Sequence, residues 1–239
     1  MRALVFAAGR GERMRPLTDA TPKPLLAAGG KPLLAWHLEK LSAIGVRDVA
    51  INVSHLAAQF AATLGDGARW GLRLHYLDEG ATALETGGGM LNALPVLGGA
   101  PFLAVNGDIW TDFDFARLPR EPRGLAHLVL VDNPPQHRQG DFVLRDGAVV
   151  DKSPAGTDES SLTFAGIGVY RGDVLRGWQS VIGDAPGAAA VPPRFALAPL
   201  LRAAMRHGAV SGEYHAGAWT DAGTPARLAE LDARLRAGA

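Results

Sequence analysis

Residues Ala3 to Thr18 read A-L-V-F-A-A-G-R-G-E-R-M-R-P-L-T, and Pro22-Lys23-Pro24 follows closely. The short apolar run is that of a strand buried on both faces. The stretch after it has the composition of a phosphate cradle. Gly9 and Gly11 let the main chain turn tightly and bring N–H groups against anionic oxygens. Arg10, Arg13, Arg15 and Lys23 add positive charge that an apolar core would not accommodate. A strand that runs straight into such a loop places the loop at the carboxyl end of a sheet, where ligands gather in open α/β folds. The third glycine of G-x-G-x-x-G is missing, and no G-K-[ST] follows, so neither the dinucleotide fingerprint nor the Walker A loop fits.

Outward from this loop the same alternation continues. Val49–Val53, Leu72–Leu77 and Phe102–Val105 are further short apolar runs. Leu34, Leu38, Leu41 and Ile44 fall close to helical spacing before Gly45, and 56–64 fits a second helix. Strands separated by helices predict a mostly parallel sheet with helices on both faces, a Rossmann-like three-layer α/β/α arrangement. Phe142–Val150 reads as a hairpin turning at Asp146-Gly147, and Leu162–Tyr170 as another strand, together predicting a small β-rich subdomain beside the cleft. The stretch 183–193, rich in Ala, Gly and Pro, is expected as a mobile connection. A helix over Phe195–His207, with Pro199 near its first turn, follows it, and Thr224-Pro225 announces a last helix carrying Leu228, Leu231 and Leu235.

Bulk composition narrows the function classes. The 239 residues suit one domain, and 47% apolar content supports a sizeable core. Lys and Arg number 24 against 24 Asp and Glu, so there is no overall basic field for nucleic acid or an anionic membrane. With no cysteine, disulfides, thiolate metal sites and cysteine nucleophiles are excluded, in keeping with a reducing cytosol. The apolar start is too short for a signal peptide, and no stretch approaches the ~20 apolar residues of a membrane span. The seven histidines show no zinc-ligand spacing, and there is no G-x-S-x-G elbow. The expectation is a cytoplasmic protein acting on small phosphorylated molecules.

Two acids complete the chemistry. Asn106-Gly107-Asp108 follows a buried run, so Asp108 projects from a strand end. Trp219-Thr220-Asp221-Ala222-Gly223-Thr224 offers a second acid. Mg²⁺ takes one or two carboxylates and fills its shell with phosphate oxygens and water, so Asp108 and Asp221 are the candidate metal ligands. Asp112 and Asp114 are weaker candidates, one of them better suited to a helix cap. Leu84-Glu85-Thr86-Gly87-Gly88-Gly89 precedes a helix expected from Met90 to Leu94, and its glycines are read as leaving room for a planar base.

These motifs together resemble the sugar-1-phosphate nucleotidyltransferases, whose first block is close to L-A-A-G-x-G-x-R-M-x-P-L-T followed by P-K-P, with W-x-D-x-G-T late in the chain. The resemblance implies a nucleotide-diphospho-sugar transferase fold of the GT-A-like type and Mg²⁺ as cofactor. It implies Arg13, Lys23, Asp108 and Asp221 as catalytic residues, and Ala7, Ala8, Gly9, Gly11, Glu79, Gly80, Glu85, Thr86, Gly87 and Asn106 as the nucleotide wall. It also implies Gly140, Asp151, Lys152 and Gly166 on the sugar-phosphate side, the middle two from the Asp151-Lys152-Ser153-Pro154 segment. Phe164 stands where enzymes acting on N-acetylglucosamine 1-phosphate have an asparagine, a departure that removes one sugar contact. Residues 1–239 are read as a single domain: 1–115 mainly the nucleotide half, 116–239 mainly the sugar half and a C-terminal helix, ending without the extra domain of some relatives.

Within that family, L-E-T-G-G-G, N-G-D-I-W-T-D-F-D-F, G-L-A-H-L-V-L-V-D-N-P and F-x-L-x-P-L-L-R look most like the uridylyltransferases acting on N-acetylmuramic acid α-1-phosphate in cell-wall recycling. That likeness implies UTP and this sugar phosphate as substrates, with Arg138, Arg145 or Lys152 open as partners of its lactyl carboxylate. Two alternatives stay open: another pair, such as mannose or glucose 1-phosphate with GTP, UTP or dTTP, and a noncatalytic nucleotide-sugar binding protein. No residue pattern marks an oligomer interface.

Overall fold

The computed structural model describes residues 1–152 and 161–238. Its strands are β1 (Arg2–Phe6), β2 (Ala27–Ala28), β3 (Lys31–Pro32), β4 (Asp48–Val53), β5 (Arg73–Asp78), β6 (Phe102–Asn106), β7 (Ile109–Thr111), β8 (Ala126–Val131), β9 (Phe142–Arg145), β10 (Ala148–Asp151), β11 (Thr163–Tyr170), β12 (Val210–Tyr214) and β13 (Trp219–Asp221). The helices are α1 (Leu17–Ala20), α2 (Leu33–Ala43), α3 (Ala58–Leu64), α4 (Glu85–Leu97), α5 (Trp178–Ile182), α6 (Ala198–Arg206) and α7 (Pro225–Ala237).

Alternate residues of the central strands feed two cores. Ala3 and Val5, Val49 and Ile51, and Leu103 and Val105 pack with Leu34, Leu38 and Leu41 of α2 and Phe60 of α3. Leu4, Ala50, Phe102 and Ala104 turn to the other face, against Met90, Ala93 and Leu97 of α4 and Leu200, Leu201 and Ala204 of α6. A strand with both faces covered has no polar side to show, which is why these segments read as unbroken apolar runs. A third cluster joins Met14, Leu26, Ala28 and Leu33 to Ala222, Leu228 and Leu231, fastening α7 to the N-terminal loop region.

Nine strands form one sheet in the order β5-β4-β1-β6-β11-β8-β12-β10-β9. It is parallel from β5 to β6 and mixed beyond, where β11 runs antiparallel to both neighbours and β12 parallel to β8. The expected hairpin is present as β9 and β10, but it does not stand apart as a subdomain. Ala148 pairs with Ser211 of β12, so the hairpin is the far edge of the main sheet. Strands β8 and β12 were not anticipated as strands. The first lies in a region read only for its likeness, and the second, V-S-G-E-Y, is too short and polar for an apolar-run criterion. The segment 183–193 forms turns, with Arg194 N–H donating to the Gly187 carbonyl at 2.9 Å.

Two helix starts differ from expectation. The second helix begins at Ala58, because Leu56 holds φ +55° and cannot join it. Helix α4 begins at Glu85, so the three glycines lie inside its first turns instead of in a loop ahead of Met90. The division at residue 115 is also crossed: β13 pairs with β7, and α7 packs beside β2.

Candidate active site

The loop after β1 forms the floor of a cleft of about 570 Å³. Ala7 N–H donates to Asn52 Oδ1 at 2.7 Å, which fixes where the loop departs. A Cβ on Gly9 would meet nothing within 4 Å, so that stretch of main chain faces open cleft. Gly11, at φ +64°, is tightly backed: a Cβ there would lie 2.9 Å from Thr18 Cγ2 and 3.1 Å from Lys23 Cβ. Thr18 Oγ1 and Met14 N–H both donate to the Gly11 carbonyl, closing the turn. Ala7, Ala8, Arg10, Arg13 and Lys23 line the cleft with these glycines. Arg10 donates to the Ala81 carbonyl at 3.1 Å. Arg15, expected among the phosphate-binding cations, pairs instead with Asp19 at 3.1 Å, one helical turn away on the surface.

Lys23 Nζ lies 2.6 Å from Asp108 Oδ2, with the lysine side chain 8% exposed and the carboxylate 38%. Gly107 N–H donates to the Phe6 carbonyl at 2.9 Å, which aims the β6 end across the cleft floor. Beyond it, Ile109 of β7 pairs with Asp221 of β13, and Ala222 N–H donates to the Asp108 carbonyl at 2.9 Å. The two acids therefore stand at neighbouring positions of a two-stranded ribbon. Asp108 and Gly223 line the cleft; Asp221 does not line it but stands next to Asp108 across the ribbon. Asp221 Oδ1 accepts from Gln136 Nε2 at 2.8 Å and lies 2.9 Å from Arg227 Nη1.

Among the described residues, Asp108 Oδ1 and Asp221 Oδ2 accept no hydrogen bond. No group of three or more His, Cys, Asp or Glu suited to a metal occurs among the described residues. Two carboxylates, each with a free oxygen beside a phosphate cradle, suit Mg²⁺, which takes its remaining ligands from phosphate and water.

The opposite wall is held by a chain of buried polar groups, of which the sequence reading included Glu79 but not Asn52. Asn52 Nδ2 donates to Glu79 Oε1 at 2.8 Å, and Leu84 N–H donates to Glu79 Oε2 at 2.7 Å. Burial raises the Glu79 pKa, opposed by these two hydrogen bonds. Both carboxylate oxygens are thus occupied in shaping the wall. The clue to Asn52 was available: it is a polar residue inside the buried run V-A-I-N-V.

Glu85 and Thr86 line the cleft, Glu85 in the left-handed region at φ +62°, a conformation with a cost for a non-glycine residue. Gly80 is not on the wall, and its carbonyl accepts from Ser54 Oγ at 2.6 Å. Gly87 is likewise buried away from the opening. A Cβ on Gly87 would lie 2.5 Å from the Phe195 ring, on Gly88 2.4 Å from the Pro193 carbonyl oxygen, and on Gly89 2.7 Å from Asn52 Nδ2. The three glycines make room for protein, where a base had been expected.

Asn106 connects the cleft to a smaller cavity of about 190 Å³, with Phe6 and Thr86 also lining both. Gly166 lines this second space, at an irregularity in the β11 register, and a Cβ there would be 2.7 Å from Asn106 Nδ2. Of the other residues expected on the sugar side, Gly140 is buried and its carbonyl accepts from Lys152 Nζ at 2.8 Å. The same ammonium reaches the Gln139 carbonyl at 3.2 Å. Asp151 Oδ1 accepts from Arg202 Nε at 3.2 Å. Ser153 and Pro154 lie outside the described residues. Asp114 caps the turn at Ala116, and Asp112 pairs with His215 at 2.7 Å, which leaves both outside the cleft.

Comparison with known proteins identifies the family. The family model described as Nucleotidyl transferase matches residues 2–142. The chain is 46% identical over 239 residues to an N-acetylmuramate alpha-1-phosphate uridylyltransferase of Neisseria meningitidis serogroup B, covering 98% of this chain and 97% of that protein. It is 31% identical over 245 residues to the protein of the same name from Caulobacter vibrioides, with 98% and 96% covered. A Bacillus anthracis protein assigned as a glucose-1-phosphate thymidylyltransferase, solved in complex with a sucrose, superposes with TM-score 0.83 at 21% identity, covering 99% of this chain and 95% of that one. That likeness establishes the shared fold.

Proposed function

We propose, because this chain belongs to the nucleotidyl transferase family, that it transfers the uridylyl group of UTP to the 1-phosphate of N-acetylmuramic acid, giving UDP-N-acetylmuramic acid and pyrophosphate. The observation that carries the reading is the Lys23–Asp108 pair in the cleft, met by the acid-bearing β7–β13 ribbon. Likeness over nearly the whole chain to two proteins named for this reaction supports the choice of substrates.

An anionic oxygen of the sugar phosphate attacks the α-phosphorus of UTP in line, forming one P–O bond as the bond to the pyrophosphate oxygen breaks. The nucleophile is ionised at neutral pH, so no general base is needed, and catalysis consists of aligning two polyanions and offsetting their repulsion. Exposed main chain at Gly9 and the side chain of Arg13 bind the leaving phosphates, and Lys23 meets charge developing at phosphorus. Asp108 and Asp221 would hold Mg²⁺, which supplies Lewis-acid stabilisation of the phosphate oxygens when bound. The wall at Glu85 and Thr86, braced by Asn52 and Glu79, faces the nucleoside. Asn106 and Gly166 form the passage by which the sugar phosphate approaches. In this reading the first half of the chain chiefly handles the nucleotide and the second half the sugar, with β13 and α7 returning an acid to the first.

No helix among the described residues is long and apolar enough to cross a membrane. We place the reaction in the cytoplasm, where UTP is held. Pyrophosphate release, measured across a panel of nucleoside triphosphates and sugar 1-phosphates, tests the proposal. Preferred turnover of UTP with the muramyl substrate is expected. Preference for a glucose or mannose substrate would transfer the reading to that pair, and binding without turnover of any pair would make the protein a nucleotide-sugar binder.

A further inference from the structure

We propose that Arg202, on α6, is a specificity-determining residue that receives a carboxylate carried by the acceptor sugar; the inference rests on the reaction proposed above. The smaller cavity opens from the cleft past Phe6, Thr86 and Asn106, so a sugar phosphate approaching from that side extends its ring into it. Much of the wall is apolar, and its charged groups are Asp141 and Arg202. Asp141 is engaged: Oδ1 lies 3.0 Å from His137 Nε2, and Oδ2 accepts from Phe164 N–H at 2.9 Å.

Arg202 is held at its base and, among the described residues, free at its tip. Its Nε donates to Asp151 Oδ1 at 3.2 Å, and Cζ lies 5.9 Å from the Phe142 ring centre. The end-on edge formed by Nη1 and Nη2 makes no hydrogen bond to any described residue. A guanidinium fixed through Nε presents that edge as a fork matched to two carboxylate oxygens.

The other cations considered for this role are placed elsewhere. Lys152 directs its ammonium to two backbone carbonyls. Arg138 and Arg145 are exposed and do not line the cavity. The sequence 153–160 contains no lysine or arginine. N-acetylmuramic acid differs from N-acetylglucosamine by a lactyl ether whose carboxylate is ionised at neutral pH. A fork with unfilled donors favours the sugar that fills them over the one that leaves them unpaired.

The test compares wild type, Arg202→Gln and Arg202→Lys in two assays. One is kcat/KM for N-acetylmuramic acid 1-phosphate and N-acetylglucosamine 1-phosphate at saturating UTP. The other is calorimetric binding of UDP-N-acetylmuramic acid and UDP-N-acetylglucosamine. Arg202→Gln is expected to lose on the order of 10- to 10²-fold on the muramyl ligands and no more than about threefold on those without the lactyl carboxylate, with the KM for UTP unchanged. Arg202→Lys should recover part of the preference. An equal fall on both sugars, or a preference that moves by less than about threefold, overturns the proposal. Failure of wild type to turn over the muramyl substrate would refute the reaction and leave the product-binding comparison to judge Arg202. Equal binding of the two products by wild type would refute the role of Arg202 itself.

Discussion

Lys23 and Asp108 face each other at 2.6 Å in a half-sheltered cleft, so each offsets the other's charge until an anionic substrate arrives. Removing either is expected to lower kcat by on the order of 10²-fold, the scale of one electrostatic contact in a water-poor site. Lys23→Ala and Asp108→Asn, each followed by pyrophosphate release at saturating substrates, measure it. Turnover within a few-fold of wild type would remove that residue from the mechanism.

His37 carries a second residue-scale prediction. Its Nε2 meets the Ile109 carbonyl at 2.9 Å, and its buried Nδ1 has no partner among the described residues. Burial lowers its pKa to about 4, with nearby Lys40 adding to the effect against the pull of Ile109 and Asp108. The folded state therefore binds its proton less readily than the unfolded chain. The contribution to stability is full above about pH 6.5 and is lost as pH falls toward 4, by on the order of 3 kcal/mol. Urea unfolding of wild type against His37→Gln across that window should show the wild-type slope reduced in the variant. Parallel curves would mean that His37 does not set the dependence.

Among the elements, α4 is tightly constrained at its start. Gly88→Ala places a Cβ against the Pro193 carbonyl oxygen, 2.4 Å away, and backbone yields less readily than the end of a side chain. A loss of about 1–3 kcal/mol of stability is expected, accompanied by loosening of the wall formed by Glu85 and Thr86. Thermal melts and the KM for UTP read the two effects, and an unchanged melt would show that the segment shifts freely. Thr224 is the milder case: its hydroxyl caps α7 by accepting from Arg227 N–H at 3.3 Å, and Thr224→Ala should cost about 1 kcal/mol in chemical denaturation. A midpoint equal to wild type would show that α7 is fixed by its apolar face alone.

Across the whole molecule, the parallel half of the sheet was legible in the sequence, because strands buried on both faces write themselves as apolar runs. The mixed half was less so, since β12 and the β9–β10 edge depend on which distant strands lie beside them. The cradle at Gly9–Met14 and the cap at Thr224-Pro225 were readable because the backbone conformation dictates the residue type locally. The role of Arg202 and the packing role of Gly87–Gly89 were not, and for Asn52 the sequence marked only a polar residue in a buried run, not its task. Each takes its meaning from groups far along the chain, such as Glu79, Asp151 and Phe195, and nothing in its own neighbourhood names that partner. The proposed phosphate site is marked by short motifs, whereas the shape of the proposed sugar cavity is set by tertiary contacts.

The pairing of β13 with β7 carries a consequence for synthesis. Asp221 is made long after Asp108, and α7, which packs on the N-terminal loop region, is made after both. A growing chain carries the Gly9–Met14 loop and Asp108 well before this acid is made, and Met14 gains its partners Ala222, Leu228 and Leu231 only then. On the proposed mechanism, such a chain lacks the second acid until β13 pairs with β7, so competence waits on that pairing.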